Sequence, residues 1–473
     1  MLRTAVYRIE LGPMVGRKGV GRSAPSGSSG PPDGSTRAGG RSTKVDRGGV
    51  PKHGTGTGGA VATSPRTAGS TARAATPRST SLCRWAPGSA RGRVVGVSTT
   101  VEELLRRHVQ AGTVPGALAL LGSDDAPVVA AGVAAVGGGP MREDAIMRIQ
   151  SMTKPITSVA ALRLVEAGRL GLDQGLEEWL PELADRRVLS SPTAELGDTV
   201  PAHRSITLRH LLTNASGYGM ALVDSPLQQA MADNGTEAGP QPLTLGAQEW
   251  LARLTELPLA FQPGEGWRYH HSFGLLGILI TRLTDRSLGQ HLAEDLFGPL
   301  GMTDTALWVP EDKLDRLPAA YRHGDDGLVE TEPAGGGFYA GPASFDVSHG
   351  ELVSTARDFH RFARMLAAGG RGDGEPMISA DHLQQMTSDQ VPPENKTPES
   401  FFPGFWEGMG WGFGVGVQTE GPQRGRCGWS GGQGTDFFVD PDGTVGTLLT
   451  QVELGAQMST MIEEFQALHS PSR

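Results

Sequence analysis

Apolar and polar positions along the chain fall into segments with different periods. Val101-Glu102-Glu103-Leu104-Leu105-Arg106-Arg107-His108-Val109 repeats at helical spacing with Thr100 placed to cap it. Gly116 to Leu121 and Pro127 to Val133 are short apolar runs on either side of the turn-like Gly122-Ser123-Asp124-Asp125, and they predict a strand pair. Ile146 to Gln150 is a short extended run. A helix then opens at Ser151-Met152-Thr153-Lys154-Pro155, continues through Ala167 and stops at Gly168. Residues 154–300 read mainly helical, 411–450 return to strands, and Met458 to about Leu468 predicts a final helix. The polar stretches 190–205, 222–243 and 322–348 are expected to be loops that rim a site.

Residues 1–96 show neither period, and their charge sets them apart. They hold 16 Lys and Arg against 3 Asp and Glu, leaving 26 basic and 48 acidic groups, a formal charge of −22, on residues 97–473. A basic Gly/Ser/Arg-rich stretch has too little apolar surface to offset its own ordering entropy, so it is expected to be a disordered extension. Its Gly54-Thr55-Gly56-Thr57-Gly58-Gly59 satisfies a dinucleotide-binding pattern by letter, but without a strand before it or a helix after it. The acidic remainder argues against nucleic acid as a partner of the folded body. With Cys83 and Cys427 as the two cysteines, a disulfide framework or a cysteine-based metal site is excluded. No apolar run reaches membrane-spanning length, and Arg3, Arg8, Glu10, Arg17 and Lys18 interrupt the first twenty residues, which predicts a cytoplasmic protein without a membrane partner.

Ser151 and Lys154 carry the first specific chemistry. At i and i+3 they share one face of a first helical turn, so the amine can reach the hydroxyl, while unpaired backbone N–H groups there favour developing negative charge. Alone, such a pair is most often a capping Ser followed by a solvated Lys. Composition changes the balance: the body has three lysines, Lys154, Lys313 and Lys396, against 23 arginines. Lys can give up its proton when desolvated and Arg cannot, and Lys154 alone has a Ser three residues before it.

Ile149-Gln150-Ser151-Met152-Thr153-Lys154-Pro155-Ile156-Thr157, followed by Glu166-Ala167-Gly168-Arg169-Leu170, resembles the serine β-lactamase-like family, which includes class C β-lactamases, D-alanyl-D-alanine peptidases and family VIII carboxylesterases. Ile206 to Gly217, Phe261-Gln262-Pro263-Gly264, Pro299 to Thr305 and Leu352 to Phe359 agree with it in order, so the resemblance spans residues 100 to about 465. It implies an α/β (α+β) body with an antiparallel sheet flanked by helices, built from 97–153 and about 350–473, with a mostly helical insertion over about 154–349. No cofactor or metal is implied.

The family's Tyr-x-Asn element falls at Tyr269-His270-His271, with Tyr269 as the catalytic phenol and His271 in the usual Asn position. A Lys beside Tyr269 is expected to lower the phenol's pKa. Adjacent histidines seldom share an ion, so His270-His271 is not read as a metal site. The third element, a Lys-Thr-Gly or its esterase-like variants on the sheet's edge strand, is taken by Trp429-Ser430-Gly431, with the amide of Gly432 joining that of Ser151 as an oxyanion hole. An indole where β-lactamases carry a cation favours a small neutral ester over a penicillin, although Arg268 or Arg424 could restore a charge. The expectation is therefore a serine hydrolase acting on a small-molecule ester or amide through an acyl-enzyme on Ser151. Open beside it stand β-lactamase or D-Ala-D-Ala peptidase activity, and an acyl-transferring or non-catalytic acyl-binding member of the same fold.

Overall fold

A computed structural model describes residues 95–123, 125–239, 243–372 and 375–469. Most of the basic extension, with Cys83 and the glycine-rich hexamer, lies outside the described residues.

Strands from both ends of this span form one antiparallel sheet. They are β1 (Gly116–Gly122), β2 (Val129–Gly132), β3 (Met409–Trp411), β4 (Gly416–Gln418), β5 (Cys427–Gly431), β6 (Thr435–Val439) and β7 (Val445–Leu449). Their order is β3-β4-β5-β6-β7-β1-β2, and the two ends of the chain meet where Leu118 pairs with Leu449 and Ala119 with Leu448. Both faces of the central strands are covered, which is why they read as unbroken apolar runs. Ala117, Ala119 and Phe438 point to one face, where helices α1 (Val95–Gln110) and α5 (Ala456–Ala467) supply Leu104, Leu105, Met461 and Phe465. Leu118, Phe437 and Val439 point to the other, against α4 (Ala356–Ala367) and the helical region.

Helix α2 (Thr153–Glu166) runs through that second core and is buried on every side from Thr153 to Leu162; Gly168, at φ +67°, ends its C-terminal turn. Helix α3 (His271–Thr284) is equally enclosed and packs against it. Apolar burial all round marks both as central helices.

Several local expectations need correction. Helix α1 begins at Val95, so Thr100 lies inside it and is not its cap. Ser151 belongs to a single 3₁₀ turn, Gln150–Met152, that precedes α2. The polar stretch 222–243 contains a helix over Pro226–Asn234: Ser225 Oγ accepts from the Gln228 amide, Pro226 takes the first turn and Gly235 ends it at φ +74°. The stretch 190–205 contains the strand Thr199–Pro201, which pairs with Arg187–Leu189 just before it, and 322–348 contains Gly327–Glu332, paired with Ala320–Gly324 at its start. Among the described residues no helix is long and apolar enough to cross a membrane.

Candidate active site

The turn that carries Ser151 is tied down on two sides. The Ile149 carbonyl accepts from Thr435 Oγ1 at 3.1 Å, and the Ile149 amide donates to the Leu352 carbonyl at 3.0 Å. Between these anchors and the helix, Gln150 takes a left-handed φ of +48°, a conformation that costs a non-glycine residue about 1 kcal/mol and that recurs where a side chain must be presented. Ser151 is half-buried, whereas Lys154 is fully enclosed. Lys154 Nζ lies 3.1 Å from Ser151 Oγ and also donates to the His349 carbonyl. Burial lowers the amine from 10.5 to about 7, against the charge of Glu351, which raises it.

Tyr269 reaches the same point from the opposite wall. Lys154 Nζ sits 4.5 Å from its ring centroid, its phenol hydrogen-bonds with Ser151, and Trp429 Nε1 donates to the phenol oxygen at 2.7 Å. Its pKa is raised: burial outweighs the two hydrogen bonds, so the expected lowering by Lys154 does not occur. An amine lowered to about 7 carries only part of a charge near neutral pH, and the phenol keeps its proton. Because the indole N–H can only donate, the phenol's own O–H is left to point toward Ser151.

Strand β5 borders the turn. It does not run along the sheet edge, since β4 lies outside it, yet β4 pairs only with Cys427 and Gly428. Trp429, Ser430 and Gly431 thus have no strand partner on that side. Gly431 packs so closely that a Cβ there would stand 2.3 Å from the Ile149 carbonyl oxygen and 2.2 Å from Thr435 Oγ1. Gly431→Ala is therefore expected to push strand and turn apart, costing about 1 to 3 kcal/mol by overpacking and lowering ester turnover more than tenfold. Thermal unfolding and steady-state rates on the variant check this. Gly432 follows at the strand's end, its carbonyl accepting from the Leu454 amide at 2.9 Å.

Two of the expected binding side chains point elsewhere. Strand alternation turns Ser430 to the other face, where its hydroxyl donates to Asp436 Oδ1 at 2.7 Å. Burial pushes Asp436 up to about 7 in spite of that bond and one from Gln466. His271 Nε2 meets the Thr236 carbonyl at 2.7 Å, which makes that nitrogen the protonated one, and the ring stacks on Trp250 with 6.2 Å between centroids. Burial lowers it to about 4, so it stays neutral and holds the 236 loop. Of the two alternative cations, Arg268 is mostly buried beside His271, and Arg424 is exposed in the turn before β5.

The sequence reading passed over an aromatic wall. Trp267 stacks on Tyr269 with centroids 6.0 Å apart, Trp411 meets Trp429 edge-on at 4.6 Å, and Phe401 and Phe405 close around them. Four aromatic residues in the six of Phe401-Phe402-Pro403-Gly404-Phe405-Trp406 are a visible signal in a chain that is 6% aromatic. His349 and Glu351, beside Lys154, were also missed and have no local signature. Elsewhere, Asp440, Asp442 and His469 lie close together, but Arg426 already grips Asp440 through two bonds of 2.7 and 2.8 Å.

Comparisons with known proteins bear on the family and the fold. Protein Rv1367c of Mycobacterium tuberculosis is 36% identical over 315 residues, covering 64% of this chain and 76% of that protein. Esterase EstB of Burkholderia gladioli is 29% identical over 327 residues, with the same shares of 64% and 76%. Unliganded simvastatin synthase LovD from Aspergillus terreus shares the fold, with a TM-score of 0.66 at 20% identity over 78% of this chain and 97% of that one. Esterases and acyltransferases both occur among the relatives. The model of the Beta-lactamase family matches residues 101–460, and the chain belongs to that family.

Proposed function

We propose that the protein is a serine hydrolase that cleaves small neutral esters through an acyl-enzyme on Ser151. One observation carries the reading: a fully buried amine, lowered to about 7, stands 3.1 Å from a half-exposed serine hydroxyl. The neutral Lys154 amine takes the Ser151 proton as Oγ adds to the ester carbonyl. The negative charge that forms on the carbonyl oxygen is held by the backbone N–H groups of Ser151 and Gly432. As the C–O bond breaks, the Tyr269 phenol gives its proton to the departing alkoxide, and the Lys154 ammonium returns a proton to the phenolate. Water then attacks the acyl-enzyme with Lys154 and Tyr269 acting in reverse, which frees the acid.

Trp429 and its neighbours support a neutral, partly apolar substrate. The indole is used to orient Tyr269, and Trp267, Phe401, Phe405 and Trp411 surround the pair with apolar surface. A lysine in place of Trp429 would offer a substrate carboxylate a charged hydrogen bond of about 1.5 to 3 kcal/mol, and an indole offers none.

A panel of short and medium p-nitrophenyl esters beside nitrocefin and a D-Ala-D-Ala peptide tests the assignment, with a fluorophosphonate probe locating the nucleophile. Ester turnover with probe mass on Ser151 is expected; preferential turnover of nitrocefin or of the peptide would sink the ester reading, and an unlabelled Ser151 would sink the hydrolase. The amine also fixes a pH dependence. Only neutral Lys154 accepts the proton, so kcat/KM should climb tenfold per pH unit below about 7 and level off above it. Rates measured from about pH 5 to 9 check the limb, and a flat profile contradicts Lys154 as the base.

A further inference from the structure

The segment 348–352 is tied to the first turns of α2 and to Tyr339. Thr157 Oγ1 donates to the Ser348 carbonyl at 3.5 Å, Lys154 Nζ to that of His349, and Tyr339 OH to that of Gly350 at 3.4 Å. The Leu352 amide donates to Thr153 Oγ1 at 3.1 Å. At the centre is a carboxylate that the proposed reaction does not use. Glu351 is 8% exposed; its Oε2 accepts from the Gly350 amide at 2.7 Å, and its Oε1 lies 3.0 Å from His349 Nδ1. The His349 ring in turn packs on His270, with 4.0 Å between centroids, and His270 holds a left-handed φ of +94°. A charge buried this deeply is costly unless it is tied to partners, and strained backbone persists where its surroundings enforce it.

We propose that His349 and Glu351 are positioning residues for Lys154: the carboxylate fixes the His349 ring and the Gly350 amide, and the turn so held aims the His349 carbonyl oxygen at Lys154 Nζ while setting one negative charge near it. This rests on the hydrolase reading for its purpose. Apart from the His349–Glu351 pair, the groups around the amine are uncharged: Ser151 on its own turn, the Tyr269 and Phe273 rings, and His270 and His271, both kept neutral chiefly by burial. Burial would also push the Glu351 carboxyl up, but the His349 ring, the Gly350 amide and Lys154 together hold it below its ordinary value, so it stays ionised. Without the carboxylate, the amine would lose its proton at lower pH and its hydrogen bond to the turn would loosen.

Lysine NMR tests this directly, because the chain has only six lysines. With carbon-13 at the ε position, the Lys154 signal is identified by its loss in Lys154→Met, and its titration is followed without substrate. Glu351→Gln is expected to move its midpoint down by about one pH unit and the acid limb of kcat/KM with it, while Glu351→Asp keeps the parental midpoint. His349→Gln, which retains the carbonyl but loses the ring, is expected to lower kcat about tenfold at unchanged KM. An unmoved Lys154 midpoint in Glu351→Gln overturns the proposal, and so does a parental kcat in His349→Gln should the first variant fail to fold. A moved midpoint in a chain that hydrolyses no ester supports the positioning and refutes the hydrolase; an unmoved one in an active enzyme refutes the positioning alone.

Discussion

Ser151→Ala is expected to lower ester turnover by about three to six orders of magnitude while leaving the thermal midpoint of unfolding within a degree or two. The asymmetry follows from the site. Removing one oxygen from a half-exposed side chain deletes a 3.1 Å contact with Lys154 and the hydrogen bond with the Tyr269 phenol, and the turn stays fixed by Thr435 and Leu352 through Ile149. The rate has no comparable reserve, because in the proposed reaction the acyl-enzyme forms on the Ser151 oxygen itself. Stopped assays with purified variant and parent, beside thermal unfolding curves, make the comparison. Turnover that persists in the variant at more than a hundredth of the parental rate removes Ser151 as the nucleophile.

Lys154→Arg and Lys154→Met should each cost about a thousandfold in kcat/KM, and they should differ in stability. Arg cannot release its proton, so it fails as a base and also forces a permanent charge into a site with zero exposure. Met is one atom shorter than Lys, but it is uncharged and fills most of the same space. Because burial lowers Lys154 from 10.5 to about 7, the unfolded chain binds a proton that the folded chain does not over that interval, so the parent gains stability as pH rises from about 7 to about 10. Lys154→Met lacks this dependence. Its stability advantage over the parent should therefore shrink across that window, while Lys154→Arg stays below both. Denaturant unfolding at several pH values reads all three curves, and a Met variant that parallels the parent throughout would show that the amine is not held neutral.

The parts of this molecule that the sequence disclosed are those whose cause is local. Apolar runs gave β1, β6 and β7 because both faces of those strands are covered, and the i, i+3 spacing of Ser151 and Lys154 brought the hydroxyl and amine together as expected. Cap chemistry at Ser225, Pro226 and Gly235 was equally local, yet the polar surface of that helix masked it. The remaining differences have distant causes. The partner of Lys154 Nζ is a carbonyl 195 residues away, and the enclosure that keeps Tyr269 protonated comes from Trp267, Phe401 and Trp429 at once. Ser430 could be placed from alternation only once the register of β5 against β6 was known, since a shift by one residue exchanges its face with that of Trp429.

The pairing of β1 with β7 also sets the order in which the molecule can assemble. Leu118 waits for Leu449 and Ile149 for Thr435, so a ribosome must deliver more than three hundred residues before the sheet can close and almost as many before the serine turn gains its anchor. Until then the helical middle of the chain carries its apolar faces unshielded, and loop closure on this scale makes folding slow. A nascent or truncated chain ending before β5 therefore lacks the Thr435 anchor of the Ser151 turn, and strands β5 to β7 decide whether everything made earlier folds or aggregates.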